Sequence, residues 1–432
     1  MAGVGYQARV RHGVLRGPST SSRAAKPLPA GFHFLVSEPT GKMVQPCFDH
    51  LVAKHLVGRK EHRLKGSVKS SEAAAYDLAD YHNYLDARGL QVADSSPDLL
   101  IDYLESMAGQ VSPATGRGYA SATVSRRRAS VVSFLEYCQD SGLLKHRFGR
   151  SMMATRSGTK EVFAGNIGSV RGTPPDRLVR ALDPRVISAL FDVLGPTPLV
   201  EDVRGGLKPA SELSPPRLMA EVCLHTGLRR QEVCDLQLEP IQLADLKSRD
   251  PYTHVAIRVV GKGSKKRDVP FPVWLISVLR EYSRSIRKPL MAEALRSGWI
   301  ESEHGHLFLL GGERANSRAK PASARKFSCQ IASARRQLLT RLMSRNSDVD
   351  DIERVRQAAI TVHALRHTFA LTTFIDRRNR GDSDPSKYVQ AVLGHSNRDT
   401  TEQMYLQCSH IYESELSESQ SIQLRKLLPS IP

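Results

Sequence analysis

The chain has 432 residues, of which 40% are hydrophobic and 25% are charged. This composition is close to that of globular proteins and argues against a wholly disordered chain, while the length exceeds what one hydrophobic core usually supports. Two or three domains are therefore expected. Lys and Arg total 62 against 44 Asp and Glu, which leaves a formal charge of +18, and such an excess favours a polyanionic partner such as nucleic acid.

Membrane and disulfide-rich classes find little support. The sequence has no apolar run of about 18 residues, and its first ~30 residues lack the apolar centre of a signal peptide. The 6 Cys residues are scattered without a CxxC pair, so neither a disulfide framework nor a structural zinc site is expected. We expect a cytoplasmic chain with no membrane partner, no metal and no cofactor.

The N-terminal region, residues 1–65, is basic and carries 11 Lys and Arg against 3 acidic residues. Five prolines interrupt it, which predicts an extension that is only partly structured. Residues 66–150 then show helical spacing, with Ala74, Leu78 and Leu85 on one face and a second helix opened by Ser96 and Pro97. A compact helical domain is predicted there.

The third helix of that domain carries three consecutive basic side chains that are candidates for binding DNA: Arg126, Arg127 and Arg128. Residues 151–176 are rich in Gly, Ser, Thr, Arg and Pro with little periodicity, and they predict a linker. The second, larger domain is predicted over 177–432.

A β-hairpin is predicted inside the larger domain. Val255–Val260 and Asp268–Phe271 read as strands, and the polar residues between them form the turn. Nine Lys and Arg residues with one Glu between 311 and 345 indicate a surface that grips a DNA backbone. The candidates for DNA contact in this domain are Lys265, Lys266, Arg325 and Lys326.

Four short stretches, distant in sequence, hold the groups needed to attack a phosphodiester. They are Thr226-Gly-Leu-Arg229, Gly261-Lys-Gly-Ser264, His363-Ala-Leu-Arg366-His367, and Leu393-Gly-His395 with the later Tyr405. Negative charge shifts and grows on two non-bridging oxygens in the transition state, so fixed guanidinium groups suit this substrate. Arg229 and Arg366 supply two of them.

The remaining groups fit the other needs of the same reaction. A phenol with a pKa of about 10 needs cationic neighbours or a base to become a nucleophile, and Tyr405 is the candidate. The leaving 5′-oxygen needs a proton, which Lys262 at a hairpin tip can deliver as general acid. His363 and Arg366 share one face of a first helical turn, where an anion is favoured. Glu232, three residues after Arg229, is placed to orient that guanidinium.

This ordered set of motifs resembles the catalytic domain of the tyrosine recombinases, the phage integrase family. The resemblance implies a mainly α fold with a small β-sheet or hairpin (α+β), in which a SAM-like helical core-binding domain at 66–150 precedes a catalytic domain at 177–432. It implies that the catalytic residues are Arg229, Lys262, His363, Arg366, His395 and the nucleophile Tyr405, with Glu232 in support.

The resemblance also implies a reaction and an assembly. Tyr405 forms a 3′-phosphotyrosyl intermediate without metal or ATP, and a homotetramer exchanges strands between two double-stranded DNA sites through a Holliday junction. Such an enzyme serves the integration, excision or resolution of a mobile element at the bacterial nucleoid, in some cases with accessory proteins. The amphipathic tail at 413–432 is expected to dock on a neighbouring subunit.

Two departures from the family pattern stand out. Tyr405 lies ten residues after His395, one more than is familiar in the family, and Tyr388 and Tyr412 are the alternative phenols. The interval between Lys262 and His363 is long, which indicates an insertion near 344–356.

Three other functions compete with this interpretation. A type IB topoisomerase uses the same cleavage chemistry, but it does not join two DNA sites. A metal-dependent nuclease would use His363 and His367, four apart on one helix face, although no Glu follows His363 and no third ligand is evident. A DNA-binding protein without catalysis would have lost key groups, whereas all six are present.

Overall fold

The computed structural model describes two compact units and leaves parts of the chain undescribed. The units are Met1–Asp176 and Arg177–Pro432, called here the N-terminal and the C-terminal unit. The described residues are 12–16, 28–29, 31–37, 40–57, 63–65, 68–108, 110–111, 116, 118–146, 148, 150–155, 158–163, 181–203, 205–246, 250–261, 265–309, 317, 319–345 and 347–394.

The N-terminal unit combines helices with short antiparallel hairpins. Its helices are α1 (Gln45–His55), α2 (Val68–Asp86), α3 (Pro97–Ala108) and α4 (Ser121–Asp140). Its strands pair in chain order as β1 (His12–Arg16) with β2 (His33–Ser37), β3 (Leu56–Val57) with β4 (Arg63–Leu64), and β5 (Arg150–Thr155) with β6 (Gly158–Phe163). The last hairpin falls where sequence composition predicts a linker.

The core of this unit reaches further toward the N-terminus than the helical spacing indicates. Phe32, Leu35 and Leu51 are fully buried and belong to the same cluster as Leu78 and Phe134 of α2 and α4. Part of the region predicted as a basic extension therefore packs into the helical domain, because its few apolar side chains gain stability by leaving water.

The C-terminal unit is larger and mainly helical. Its helices are α5 (Pro184–Leu194), α6 (Pro215–Thr226), α7 (Arg230–Cys234), α8 (Leu238–Leu243), α9 (Val273–Tyr282), α10 (Lys288–Arg296), α11 (Ala324–Ser344), α12 (Val349–Gln357), α13 (Val362–Asn379) and α14 (Pro385–Leu393). Its strands are β7 (Leu199–Glu201), β8 (Leu207–Pro209), β9 (His254–Val260) and β10 (Lys266–Pro272), paired as two antiparallel hairpins. This architecture confirms the predicted mainly α fold with small β elements.

The β9–β10 hairpin lies where the alternating sequence predicts it. Its register pairs Val259 with Arg267 and Ile257 with Val269, so these four side chains lie on one face of the ladder. Ile257, Val269 and Phe271 are buried in the main core of the unit. The hairpin is thereby attached to the helices by its apolar face.

Helix packing and the segment near 344–356 complete the C-terminal unit. Helix α6 packs against α13, and α11 packs against α5. The segment near 344–356, predicted to be an insertion, forms α12, whose Arg356 carbonyl accepts a hydrogen bond from Arg335 Nη2 at 2.8 Å. Arg354 of α12 also lies 3.6 Å from the carboxylate of Asp183, just before α5.

None of the helices within the described residues has the length and hydropathy needed to cross a membrane.

We expect truncation of the C-terminal core to be costly. Leu275 in α9 is fully buried, and Leu275→Ala should lower the free energy of unfolding of this unit by about 2–5 kcal/mol, since a cavity adds to the lost transfer energy. Both Trp residues of the chain, Trp274 and Trp299, lie in this unit, so Trp fluorescence in a urea titration follows it selectively.

The matched control is Leu243→Ala at the end of α8, where 76% of the residue is exposed. That variant should stay within about 0.5 kcal/mol of the wild type. Equal losses in the two variants would contradict the burial described for Leu275.

Candidate active site

A glycine turn places Arg229 at the centre of the site. Helix α6 ends at Gly227, whose φ of 65° lies in the left-handed region that favours glycine. A Cβ atom at this position would overlap the ring of Phe369 in α13 and lie 2.7 Å from Leu393 Cδ2. The turn therefore requires glycine for both conformation and space, and it makes Arg229 the N-cap residue of α7.

Arg366 lies beneath this turn on α13. Its side chain is 2% exposed and donates hydrogen bonds from Nη1 to the Gly227 carbonyl and from Nη2 to the Leu393 carbonyl, the latter at 2.8 Å. Burial, and then the charge of Arg229, lowers the pKa of Arg366 to about 9, so the guanidinium remains charged at neutral pH. It joins the end of α6 to the end of α14 while its own charge is poorly solvated.

Arg229 is the more accessible of the two arginines, with 30% of its side chain exposed. Its Nη1 donates to Glu232 Oε1 at 2.9 Å, and its Nη2 donates to the Gly394 carbonyl at 2.8 Å. The backbone N–H of Arg229 donates to Glu232 Oε2 at 2.8 Å. Glu232 thus contacts both the guanidinium and the backbone N–H of Arg229.

The carboxylate of Glu232 is shared among several guanidinium groups. Arg267 on β10 donates from Nη1 to Oε1 at 2.8 Å and from Nη2 to Oε2 at 2.7 Å, and Arg366 Nη1 lies 3.9 Å from Oε2. Burial alone would raise the pKa of Glu232, but the hydrogen bonds from Arg267 and from the Arg229 N–H outweigh it and lower the pKa to about 2.

Sequence reasoning missed Arg267, although the sequence contains a signal for it. Arg267 falls on the same face of β10 as Val269 and Phe271, the face that is buried. A charged residue on the apolar face of a strand needs a partner, because burying an unpaired charge is expensive. The hairpin pattern therefore identifies Arg267 as a residue whose carboxylate partner must be sought elsewhere in the chain.

Lys262, His395 and Tyr405 lie outside the described residues, but the structure places the neighbours of two of them. Gly261 ends the hairpin ladder against the ion pair, since a Cβ there would lie 2.8 Å from Arg267 Nη1 and 2.9 Å from Glu232 Oε1. Gly394, which precedes His395, ends α14 with a φ of 64°. Because consecutive Cα atoms are about 3.8 Å apart, the chain leaves Gly261 toward Lys262 and Gly394 toward His395 at the edge of this cluster.

His363 stands at the first turn of α13, which Thr361 caps by accepting a hydrogen bond from the Ala364 N–H at 3.1 Å. Partial burial of the ring, and then the charge of Arg366, lowers the pKa of His363 below its ordinary value. The imidazole is therefore neutral at pH 7 and able to accept a proton. The His367 ring packs edge-on against the His363 ring, with ring centroids 4.4 Å apart.

Within the described ranges, no three His, Cys, Asp or Glu side chains are grouped as metal ligands.

The predicted DNA-binding residues differ in their surroundings. Arg126 forms an ion pair with Asp77 in the N-terminal unit, and Arg127 Nη1 donates to Asp80 at 2.6 Å; Arg128 is half-buried. In the C-terminal unit the four predicted residues are exposed, one just before β10, one at its start and two in the first turn of α11: Lys265, Lys266, Arg325 and Lys326.

The cluster as a whole carries an excess of positive charge. Three guanidinium groups, those of Arg229, Arg267 and Arg366, surround the single carboxylate of Glu232 within hydrogen-bond or ion-pair distance. An anion that approaches the exposed side of Arg229 would be attracted by this imbalance. A phosphodiester, with one charge and two acceptor oxygens, matches the fork of a guanidinium.

The low pKa of Glu232 predicts a pH-dependent contribution to stability. A folded pKa of about 2 against an ordinary 4.5 corresponds to about 3 kcal/mol. This stabilisation is fully present above pH ~4.5 and is lost as the pH falls through ~2. In urea titrations followed by Trp fluorescence, Glu232→Gln should be the less stable protein at pH 7, and its deficit should shrink toward pH 2. The exposed ion-paired Asp268→Asn serves as control and should show a much smaller deficit; a deficit for Glu232→Gln that stays constant with pH would contradict the shift.

Comparison with known proteins places this constellation in a family. Residues 207–410 match the phage integrase family. The chain is 26% identical to the tyrosine recombinase XerD of Staphylococcus saprophyticus over 296 residues, which cover 67% of this chain and 80% of the relative. It is also 26% identical to XerD of Pseudomonas aeruginosa over 347 residues, which cover 80% of this chain and 88% of the relative.

A solved structure shares the fold. The XerH site-specific recombinase, in a post-cleavage complex with its palindromic difH substrate, has a TM-score of 0.51 at 16% sequence identity, covering 81% of this chain and 79% of that chain. The matched family region contains the whole cluster from Arg229 to Gly394. Residues 207–410 therefore belong to the phage integrase family, and the relatives to which the chain is similar are tyrosine recombinases.

Proposed function

We propose that this chain is a site-specific DNA recombinase that cuts and rejoins DNA strands through a 3′-phosphotyrosyl bond to Tyr405. The observation that carries the proposal is the convergence of Arg229, Arg366 and the base of the lysine hairpin on one carboxylate, Glu232. This convergence lies inside the region that matches a family of enzymes that cleave and rejoin DNA strands.

The first chemical step is a substitution at phosphorus. The phenol oxygen of Tyr405 attacks the phosphorus atom while the bond from phosphorus to the 5′-oxygen breaks. The phenol proton passes to a base, for which His363 is the candidate, and the 5′-oxygen takes a proton from the Lys262 ammonium. One phosphate ester replaces another, so a 5′-hydroxyl can later reverse the step without an external energy source.

The two arginines divide the stabilisation of the transition state. Arg229, exposed on one side and oriented by Glu232, is placed to bind the non-bridging oxygens directly. Arg366 is held beneath it by two carbonyls and contributes its charge at short range. Because these groups are fixed before the substrate arrives, little reorganisation is needed when the charge develops.

The wider reaction follows the family pattern in our proposal. Double-stranded DNA is the substrate, and four copies of the chain bring two sites together and exchange one pair of strands at a time through a Holliday junction. The exchange serves the integration, excision or resolution of a mobile element, with accessory proteins where the site requires them. The names of the similar proteins, recombinases in each case, support this direction.

The nucleophile can be identified with a covalent trap. A nicked suicide duplex that carries the recombination site should give a protein–DNA adduct on a denaturing gel in EDTA, and Tyr405→Phe should abolish it, because a phenyl ring has no oxygen to attack. Tyr388→Phe is the control: the Arg377 guanidinium lies 3.7 Å from the centre of the Tyr388 ring, which gives this tyrosine a packing role. An adduct that survives in Tyr405→Phe but not in Tyr412→Phe would move the nucleophile to Tyr412.

A second measurement, the joining of two labelled sites, separates a recombinase from an enzyme that only relaxes supercoils.

The role of Lys262 predicts rescue by the leaving group. Lys262→Ala should slow single-turnover cleavage by about 10²–10⁴-fold, the usual contribution of a general acid. A substrate with sulfur in place of the bridging 5′-oxygen should restore most of the rate, since a thiolate leaves without a proton. Lys265→Ala, in the exposed residue that closes the turn, should show a small loss with both substrates. Equal losses for Lys262→Ala with oxygen and sulfur would remove Lys262 from this role.

A further inference from the structure

Arg267 is largely buried, whereas the basic residues just before it on the hairpin are exposed. It follows the exposed residues Lys265 and Lys266, but its side chain is 13% exposed and faces the helices. Its guanidinium makes two parallel hydrogen bonds to the carboxylate of Glu232, at 2.8 and 2.7 Å. This is the bidentate geometry that gives an arginine–carboxylate pair both strength and a fixed orientation.

The third contact of Arg267 reaches another part of the site. Its Nε donates to the Val392 carbonyl, near the end of α14, at 2.9 Å. Gly394 follows two residues later, and a Cβ there would lie 3.2 Å from Arg267 Cδ and 3.4 Å from Nε. One side chain therefore fixes the hairpin strand to the segment that leads into His395.

The same guanidinium also defines the base of the hairpin turn. Gly261 lies against Arg267 Nη1 with too little space for a Cβ, and its N–H donates to the Lys265 carbonyl at 2.7 Å. The two residues on either side of the turn are thus held directly over the ion pair. Lys262 is the residue that follows Gly261, so the starting point of the turn that carries it is set by Arg267.

We infer that Arg267 is a positioning residue, which sets the place of the hairpin lysine relative to Arg229 through the carboxylate of Glu232. This inference rests on the proposed function, since it takes Lys262 as the general acid. Lysine cannot substitute for arginine here, because a single ammonium group cannot make the two parallel bonds and the Nε bond together. A positive charge at position 267 is therefore not sufficient to hold the hairpin in this place.

The test compares Arg267→Lys with wild type on the oxygen and sulfur substrates. With the oxygen substrate, single-turnover cleavage should slow by about 10–100-fold, because a displacement of about 1 Å of a catalytic group has a cost of this order. With the bridging sulfur substrate the loss should shrink by at least about tenfold, since the proton of the lysine is no longer needed. DNA affinity should stay within about threefold.

The control variant is Arg258→Lys on the partner strand. Arg258 also pairs with a carboxylate on the hairpin, Asp268 at 2.7 Å, but on the exposed face, so its replacement should leave both rates near wild type. A folding defect in Arg267→Lys lowers the active fraction on both substrates equally, so the ratio of the oxygen and sulfur rates is unaffected by it.

The outcomes separate this inference from the proposed function. If sulfur rescues Lys262→Ala but not Arg267→Lys, Lys262 is the general acid and Arg267 does not act through it, which overturns the inference alone. If sulfur rescues neither variant, the role of Lys262 itself fails. Rescue of both variants, with Arg258→Lys unaffected, establishes the coupling.

Discussion

The site depends on one buried carboxylate that several cations share. Glu232 accepts hydrogen bonds from Arg229 and Arg267 and lies 3.9 Å from Arg366. Without this negative charge, three guanidinium groups would face one another with little water to screen them. With it they are held together, and a net positive charge remains for the substrate. Glu232 thus orients Arg229 and Arg267 directly and offsets the charge of Arg366, which backbone carbonyls hold in place.

The parts of the site that could be predicted from the sequence are those that depend on residues close to one another in the chain. The alternation of β9 and β10 and the spacing of Arg229 and Glu232 both depend on residues within a few positions of one another. These local rules, together with the order of the motifs, were sufficient for the fold class, for the pairing of Arg229 with Glu232, and for the family.

The parts that could not be predicted depend on partners far along the chain. The bond from Arg267 to Glu232 spans 35 residues, and nothing local indicates which carboxylate is used. Arg126 and Arg127 look like a basic surface in the sequence, yet their carboxylates, 49 and 47 residues away, lie in the same unit. In the same way, Phe32 reads as part of an extension until the core that receives it is known. A run of charge in a sequence does not reveal whether the fold supplies counter-charges.

The acceptors that hold the arginines have a consequence for how such a site changes over time. Arg366 and Arg229 bind the carbonyl oxygens of Gly227, Leu393 and Gly394, and every amino acid provides the same carbonyl. Mutation of side chains at such places alters the acceptor only if it alters the path of the backbone. The two arginines are therefore anchored by the course of the main chain, and these acceptors by themselves do not require particular side chains at the residues that provide them. A lineage built in this way can acquire new DNA targets through its surface while its reaction stays constant.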